Sequence, residues 1–270
     1  MWMTKWMTKR RALAIALLAL AADAQSHSDE ELAKNLANPV AAMISVPFQL
    51  NYDEKIGPRR EGERTTLNFQ PVAPFRLNAD WNVISRTILP FVWQKDIFPG
   101  SGKQSGVGDI TQSFFFSPSK PTESGVIWGA GPAILIPTGS DDLLSAEKWG
   151  LGPTVVVLKQ DRGWTYGALA NHIWSIGGES DRADISNTFL QPFLSHTTKD
   201  AWTYTVNLES SYDWKGKEWT VPVNFTVAKL TKVGGVPVSI GGGLRYWLDS
   251  PESGPHGWGL RFVVTLLFPR

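Results

Sequence analysis

The chain has 270 residues, enough for one large β domain, and its 26 Lys and Arg against 25 Asp and Glu leave a net charge of +1. That balance excludes the basic surface that a nucleic-acid partner requires. Cysteine is absent, which excludes disulfides and thiolate metal sites, while 13 Trp, 25 Gly and 18 Pro favour β structure with many turns. No cluster of metal ligands stands out in the sequence, and we expect no cofactor.

The first 24 residues are predicted to be a signal peptide. Basic residues between Lys5 and Arg11 precede the apolar run 12–22, which is too short for a membrane-spanning helix, and Ala22–Ala24 fits a cleavage site. Elsewhere no stretch approaches the ~18 consecutive apolar residues of a helical span. We therefore expect export across the inner membrane without a helical anchor.

Residues 25–40 are predicted to be a periplasmic leader that contains a short helix. Ser28 and Glu31 have the spacing of a capping box, Leu32 and Leu36 follow at helical spacing, and Pro39 closes the segment. The segment either plugs the domain that follows or remains a flexible leader, and the sequence leaves both alternatives open.

From residue 41 to residue 270 the helical period gives way to alternating apolar and polar residues separated by turns. We count about twelve such segments of roughly ten residues, the length with which a tilted strand crosses a bilayer. The clearest alternation lies at 45–53, 66–77, 202–214, 219–227 and 258–268, and less regular segments lie at 81–93, 109–117, 126–137, 149–160, 164–175, 185–197 and 236–248.

The last segment, GWGLRFVVTLLFPR at 257–270, shows the pattern well. One face is wholly apolar, whereas the other carries Arg261. An arginine that faces lipid at mid-bilayer costs about 2–4 kcal/mol, so we expect Arg261 to face a polar lumen. The residues predicted to face lipid are Phe262, Val264, Leu266 and Phe268.

Connections and tryptophans favour the same architecture. Long and short connections alternate along most of the chain, with exceptions at 118–125 and 215–218, as in barrels with short periplasmic turns and longer external loops. Trp164, Trp202 and Trp258 are among several tryptophans near strand ends, where their rings prefer the membrane interface. The sequence thus predicts an all-β fold, a transmembrane antiparallel up-and-down β-barrel of about twelve strands with a short N-terminal helix. A secreted β-sandwich is the alternative, since its inner faces also alternate.

The inner face of the predicted barrel carries charged residues. Arg86, Arg245 and Arg261 fall mid-strand and should project into the lumen at similar depth, with Glu209 as a partner. Such charges either filter permeants, since arginine rings favour anions, or pair with one another and fill a small lumen. The candidates for lumen and selectivity residues are Arg86, Asp109, Glu209, Asp213, Arg245 and Arg261, and alternation adds Asp53 and Arg76.

An enzymatic alternative rests on histidines. Asn171, His172 and His196 could contribute to a hydrolase site near the outer leaflet. The G-x-S-x-G elbow of many hydrolases is missing, and residue types without geometry are weak evidence. We therefore predict no catalytic residues.

Several stretches of the chain carry a resemblance to one family. The stretches are ELAKNLANPVAAMISVPFQLNYD (31–53), RTILPF (86–91), SGVGDITQSFF (105–115) with its GxGD element, WGLGPTVVVLKQ (149–160), GALANHIWS (167–175), TFLQPFLS (188–195) and the terminal WGLRFVVTLLFP. They are similar to outer-membrane transporter barrels of Gram-negative bacteria that are grouped with the MetA pathway of phenol degradation. The resemblance covers nearly all of the chain after the signal peptide and implies a β-barrel for the uptake of aromatic or other apolar small molecules.

Together these features predict one barrel domain over 41–270 in the cell outer membrane. We expect a channel or transporter for small molecules, and the resemblance implies that these are aromatic or apolar. A closed barrel that supports envelope integrity is the first alternative, and an outer-membrane lipid hydrolase is the second. The expected partners are outer-membrane lipid, a small-molecule permeant and the barrel insertion machinery.

Overall fold

The computed structural model describes residues 28–269, so the predicted signal peptide over 1–24 lies outside the described residues. Within that range the chain forms one helix and a single sheet. The elements are α1 (Asp29–Leu36), β1 (Ile44–Ile56), β2 (Gly62–Phe69), β3 (Val72–Arg76), β4 (Trp81–Lys95), β5 (Lys103–Val107), β6 (Ile110–Pro118), β7 (Val126–Ile136), β8 (Lys148–Asp161), β9 (Trp164–Gly178), β10 (Ser186–Thr197), β11 (Trp202–Leu208), β12 (Ser210–Asp213), β13 (Glu218–Val233), β14 (Val236–Asp249) and β15 (Gly257–Phe268).

The sheet closes on itself as an antiparallel barrel. The last strand pairs with the first, from Ile44 opposite Phe268 to Asp53 opposite Gly259. Three places in the ring hold an interrupted strand, namely β2 with β3, β5 with β6, and β11 with β12, so the 15 segments make 15 − 3 = 12 barrel strands in the described part of the chain. The predicted all-β class, antiparallel order and strand number are confirmed.

The connections divide between the two ends of the barrel. One end, which we name the turn end, has short hairpins, and at 234–235 both Gly234 and Gly235 adopt the positive φ that a two-residue turn needs. The helix and the last residues of β15 also lie there. The turn end holds 77–80, 119–125, 162–163, 198–201 and 234–235, and the loop end holds 57–61, 96–102, 137–147, 179–185, 214–217 and 250–256.

The sequence analysis missed one strand. Between the predicted segments 81–93 and 109–117, β5 pairs with the end of β4, where Gln104 lies opposite Gln94 and Val107 opposite Phe91. Its sequence is polar, so it lacks the apolar alternation that marks the other strands. A β-bulge then separates β5 from β6. Phe91 and Ile88 are three positions apart on β4, whereas their partners Val107 and Thr111 are four positions apart.

The two faces of the barrel differ in polarity, as β15 illustrates. Phe262 and Val264 are 55% and 39% exposed, while Arg261 and Thr265 on either side of this pair are buried. Exposed tryptophans mark both ends, with Trp164 near the turn end and others such as Trp219 and Trp258 near the loop end. A closed barrel with an apolar outer band between tryptophan belts is the form in which strands cross an outer membrane, so the protein is an outer-membrane β-barrel.

Among residues 28–269, no helix has the length and apolar character needed to span a membrane.

Candidate functional site: the barrel lumen

A salt bridge, which we name the central salt bridge, joins two separate parts of the wall through the lumen. The two terminal nitrogens of Arg261 donate to the two carboxylate oxygens of Glu209 at 2.8 and 2.7 Å, and its Nε donates to Asn51 Oδ1 at 2.8 Å. Glu209 lies between β11 and β12, and two strands separate that place in the ring from β15. The bridge therefore spans the interior rather than joining neighbouring strands.

A second charged cluster lies nearer the loop end. Arg245 Nη1 donates to Asp53 Oδ2 at 3.2 Å, and Trp247 Nε1 donates to Asp53 Oδ1 at 3.0 Å. The Arg245 guanidinium also lies 4.8 Å from the centre of the Trp247 ring, within the range of a cation–π interaction. The ion pair is thus held from two sides, which fixes its position on the wall.

The central salt bridge separates two cavities inside the barrel. The first, which we name the loop-end chamber, has a volume of about 480 Å³ and is lined by polar residues that include Asp53, Arg64 and Arg245. The second, the turn-end chamber, has a volume of about 280 Å³ and reaches down to α1. Glu209 lines the first chamber and Arg261 lines the second. The pair therefore stands at the boundary between the two chambers.

Helix α1 closes the turn end of the barrel. Leu32 and Ala33 are buried against inward-facing Leu230 and Leu267. A hydrogen bond of 2.8 Å from Gln160 Nε2 to the Lys34 carbonyl ties the helix to the far side of the ring. The apolar inner positions near the turn end are explained by this contact, because they face the helix and not water.

The chain between α1 and β1 completes the closure. Val40 is buried in an apolar cluster with Ile84, Phe115 and Leu158, which all point inward from the wall. The Asn38 Oδ1 accepts from the Val40 backbone N–H at 2.9 Å, which turns the segment towards that wall. Residues 28–43 therefore fill the turn-end half of the lumen from both sides.

The structure does not bring Asp109 into the lumen network. Its carboxylate accepts from Gly139 N at 3.0 Å, Ser145 Oγ at 2.7 Å and Ala146 N at 2.7 Å. All three donors belong to the connection 137–147 at the loop end. Asp109 thus anchors that loop.

The GxGD element that contains Asp109 also makes room for the same loop. Gly106 lies on the inner face of β5, and a Cβ atom there would collide with Ser140 Oγ. The Ser140 Oγ accepts from Val107 N at 3.0 Å. Leu144 lies beside Gly106 as well. The loop is therefore folded against the inner wall, where it narrows the mouth of the barrel.

Asp213 and Arg76 also stand apart from the central pair. Asp213 Oδ1 accepts from the Lys215 backbone N–H at 2.9 Å, which caps the short loop 214–217. Arg76 is exposed near the turn end, where its Nε donates to the Asn78 carbonyl at 3.2 Å. Both residues lie at the ends of the barrel, so they contact its connections instead of its middle.

Arg86 projects into the turn-end chamber, as alternation suggested. It lies opposite Val72 on β3, and its Nη2 donates to Gln70 Oε1 at 3.3 Å. On β15, Phe262, Val264, Leu266 and Phe268 lie on the outer face, with the last two partly buried. Contact of these four side chains with lipid stays a prediction.

His172 and His196 lie on the outer face of the barrel wall. His172 Nδ1 is 2.7 Å from Thr188 Oγ1, and its Nε2 is 3.4 Å from Ser186 Oγ, while Asn171 points to the inner face. His196 packs its ring 4.6 Å from that of Trp164. In the described range, His172 has no carboxylate or amide beside it that could orient the ring as in a catalytic triad.

Several lumen residues escaped the sequence analysis. Asn51, Arg64 and Trp247 all line the loop-end chamber. The sequence analysis did not identify Arg64, which lies near the start of β2. Its Nε donates to Oε1 of Gln94, the residue directly opposite on the adjacent strand β4, at 2.8 Å. Asp53 lies directly opposite Arg64 on β2, so the two side chains share the inner face. Alternation extended from Asp53 to that partner strand would have identified Arg64.

Comparison with known proteins agrees with this architecture. An outer-membrane channel of Pseudomonas putida F1 is similar over 84% of this chain and 96% of its own, with a TM-score of 0.66 and 15% identity. The NanC porin (TM-score 0.49, 9% identity, 84% and 100% covered) and outer membrane phospholipase A of Escherichia coli (0.48, 8%, 83% and 95%) are more distant. At 15% identity, the likeness to the Pseudomonas putida channel supports the barrel fold alone. No curated protein sequence matches the chain significantly.

The sequence itself also matches a known family. Residues 60–251 fit the family described as "Putative MetA-pathway of phenol degradation". The match runs from the loop after β1 to the loop after β14 and so includes most of the barrel wall. The chain therefore belongs to this family, as the resemblance of its sequence motifs suggested.

Proposed function

We propose that this protein is an outer-membrane channel for small molecules that is closed at rest. The observation that carries the proposal is the Arg261–Glu209 pair, which separates two cavities inside a closed barrel. A barrel with only a structural role needs no internal chambers, because about eight strands already give an interior that side chains fill. Twelve strands leave space, and the two chambers occupy part of it.

Two barriers would have to open for passage. The first is the central salt bridge, and the second is the segment 28–43 at the turn end. The bridge is bidentate, which makes it specific in geometry. The helix is held by an apolar contact and by the ion pair between Lys232 Nζ and Asp29 Oδ1 at 3.3 Å, whose members are both exposed. Because exposed pairs contribute little, the apolar contact sets the stability of the closed state.

The lumen charges favour anions over cations. The two chambers are lined by Arg64, Arg86, Arg245 and Arg261 against Asp53 and Glu209. Arginine excess in a narrow pore lowers the barrier for anions and raises it for cations. We therefore expect the open channel to be anion-selective.

Removal of the central bridge tests the proposal. The double variant Glu209→Gln with Arg261→Gln keeps side chains of similar size but abolishes the charge attraction, so we expect a several-fold rise in conductance across planar bilayers. The matched control is Glu63→Gln with Lys95→Gln, which removes an exposed ion pair of 3.0 Å outside the chambers and should leave the conductance unchanged.

The alternative of a closed envelope barrel is decided by the same experiment. A folded double variant that neither conducts nor passes solutes into liposomes would contradict the channel proposal and favour the closed barrel. Outer-membrane lipid and the insertion machinery remain the partners that we predict for assembly in either case.

A further inference from the structure

Arg86 is the arginine of the turn-end chamber whose charge is not matched by a contacting carboxylate. Arg245 binds Asp53, and Arg261 binds Glu209. The hydrogen bond that Arg86 makes to a side chain in the described part of the protein is a bond of 3.3 Å to neutral Gln70. The charge of Glu209 acts on Arg86, but both Glu209 oxygens are engaged by Arg261.

A cation inside a barrel wall is costly without a counter-charge. Removal of charge from water is offset only by pairing or by good hydrogen bonds. The side chain of Arg86 lines the turn-end chamber and is partly exposed to it. The chamber therefore presents a guanidinium with free donor groups to whatever occupies it.

Apolar and polar side chains share the lining of the turn-end chamber. Val72, Leu169, Phe193 and Val263 form apolar parts of its wall, Leu36 of α1 adds to them, and Ser, Thr, Asn and Gln side chains make up much of the rest. Its volume of about 280 Å³ lies below the range of roughly 300–1,000 Å³ that is usual for drug-sized ligands, so the space suits a small molecule. Small-ligand sites combine apolar walls with a few polar groups that orient the ligand, and Arg86 supplies the charged group without a carboxylate partner in this chamber.

We propose that the turn-end chamber binds a small organic monocarboxylate. The carboxylate accepts two hydrogen bonds from the Arg86 guanidinium, which is the geometry that arginine favours with a planar anion. The apolar body of the ligand packs against Leu169 and Phe193. Gln70 and Gln191, which also line the chamber, can donate to the same carboxylate. The inference rests on the proposed channel, since it names the class of solute that the channel holds before release.

Binding of benzoate to the purified, folded, full-length protein tests this site. Isothermal titration should show benzoate binding, with benzamide, which has the same shape without the charge, at least tenfold weaker. Acetate, which has the charge without the apolar body, should also bind at least tenfold more weakly than benzoate. The variant Arg86→Gln should lose tenfold or more in benzoate affinity.

The matched control is Arg64→Gln. It removes one positive charge from the lumen, but Arg64 lines the loop-end chamber and bonds to Gln94. We expect its benzoate affinity to stay within twofold of the unaltered protein. An equal loss in both variants would show that benzoate senses the overall lumen charge, and the site would be wrong.

Other outcomes separate this inference from the channel proposal. Equal affinity for benzoate and acetate would mean that the chamber recognises only the carboxylate, and it would overturn a ligand with an apolar body. Benzoate binding as expected in a protein whose Glu209→Gln, Arg261→Gln variant never conducts would remove the channel and keep the site. Conductance without benzoate binding would remove the site and keep the channel.

Discussion

The two halves of the lumen are built from the same alternating strands but have opposite character. In the loop-end half, Asp53 and Arg245 face a polar cavity of about 480 Å³. In the turn-end half, Phe115 and Leu158 pack against Val40, and Leu267 packs against Leu32. The first half can hold water, whereas the second is largely a hydrophobic core built inside a membrane barrel, with one small chamber left between them.

This difference shows that an inward-facing position has no fixed polarity. Side chains on the inner face meet water only where nothing else fills the lumen, and they become apolar where a segment of the chain lies inside. Apolar inner residues lie near the turn end on β4, β6, β8, β13 and β15, and they pack against α1 or the residues that follow it. Their position therefore indicates where the segment 28–43 lies inside the barrel.

The largest effect is expected when the hydrophobic half loses a side chain. Phe115 is fully buried, so Phe115→Ala should lower the free energy of unfolding by about 3–5 kcal/mol through lost burial and the cavity left behind. Equilibrium urea unfolding in lipid vesicles measures it. Thr66→Ala, at a residue that lines the loop-end chamber, is the control and should cost less than about 1 kcal/mol. Similar losses at both positions would abolish the distinction between the halves.

A smaller effect is expected from the charged half. Asp53→Ala leaves Arg245 without its ion-pair partner, but water in the loop-end chamber can solvate the guanidinium, so we expect a loss of about 1–3 kcal/mol in the same assay. Asp53→Asn retains an acceptor for Trp247 and should lose less. If Asp53→Ala were as damaging as Phe115→Ala, the chamber would be dry and the contrast drawn above would fail.

The smallest effect is expected at the first turn of α1, where a capping residue is changed. Ser28 Oγ accepts from the Glu31 backbone N–H at 3.1 Å and so caps α1. Ser28→Ala should weaken the helix by about 1 kcal/mol, which is visible as roughly fivefold faster hydrogen exchange of the α1 amides if these open locally. Ser119→Ala, at an exposed serine of the turn end, should leave that exchange unchanged. Unchanged exchange in Ser28→Ala would mean that packing against Leu230 and Leu267 alone holds the helix.

Local patterns of the sequence predicted the barrel well because the physics of a membrane strand is local. Lipid demands an apolar outer face, and a strand alternates its side chains, so the period-2 pattern and the strand length follow from short stretches. The same reasoning placed Arg261 on the inner face of β15. It missed β5, whose polar residues at the loop end extend beyond the apolar band of the barrel and carry no such pattern.

The candidate site was less predictable, because it depends on which strands face each other across the ring. Alternation placed Asp109 among the lumen charges, but its carboxylate accepts hydrogen bonds from three donors of the loop 137–147. Arg64 went unnamed although it lines the loop-end chamber. Such partners are far apart in sequence, and no local pattern reports them.

The sequence by itself determined that twelve alternating strands place apolar side chains outside and charges such as Arg261 and Glu209 inside, because each strand must satisfy lipid on one face. Only the tertiary structure decided that Arg261 is the arginine that pairs with Glu209, that α1 packs inside the turn end and that Arg86 has no contacting carboxylate in its chamber. The reason is that closure of the ring sets distances between strands that the chain visits far apart, and those distances fix which charges pair.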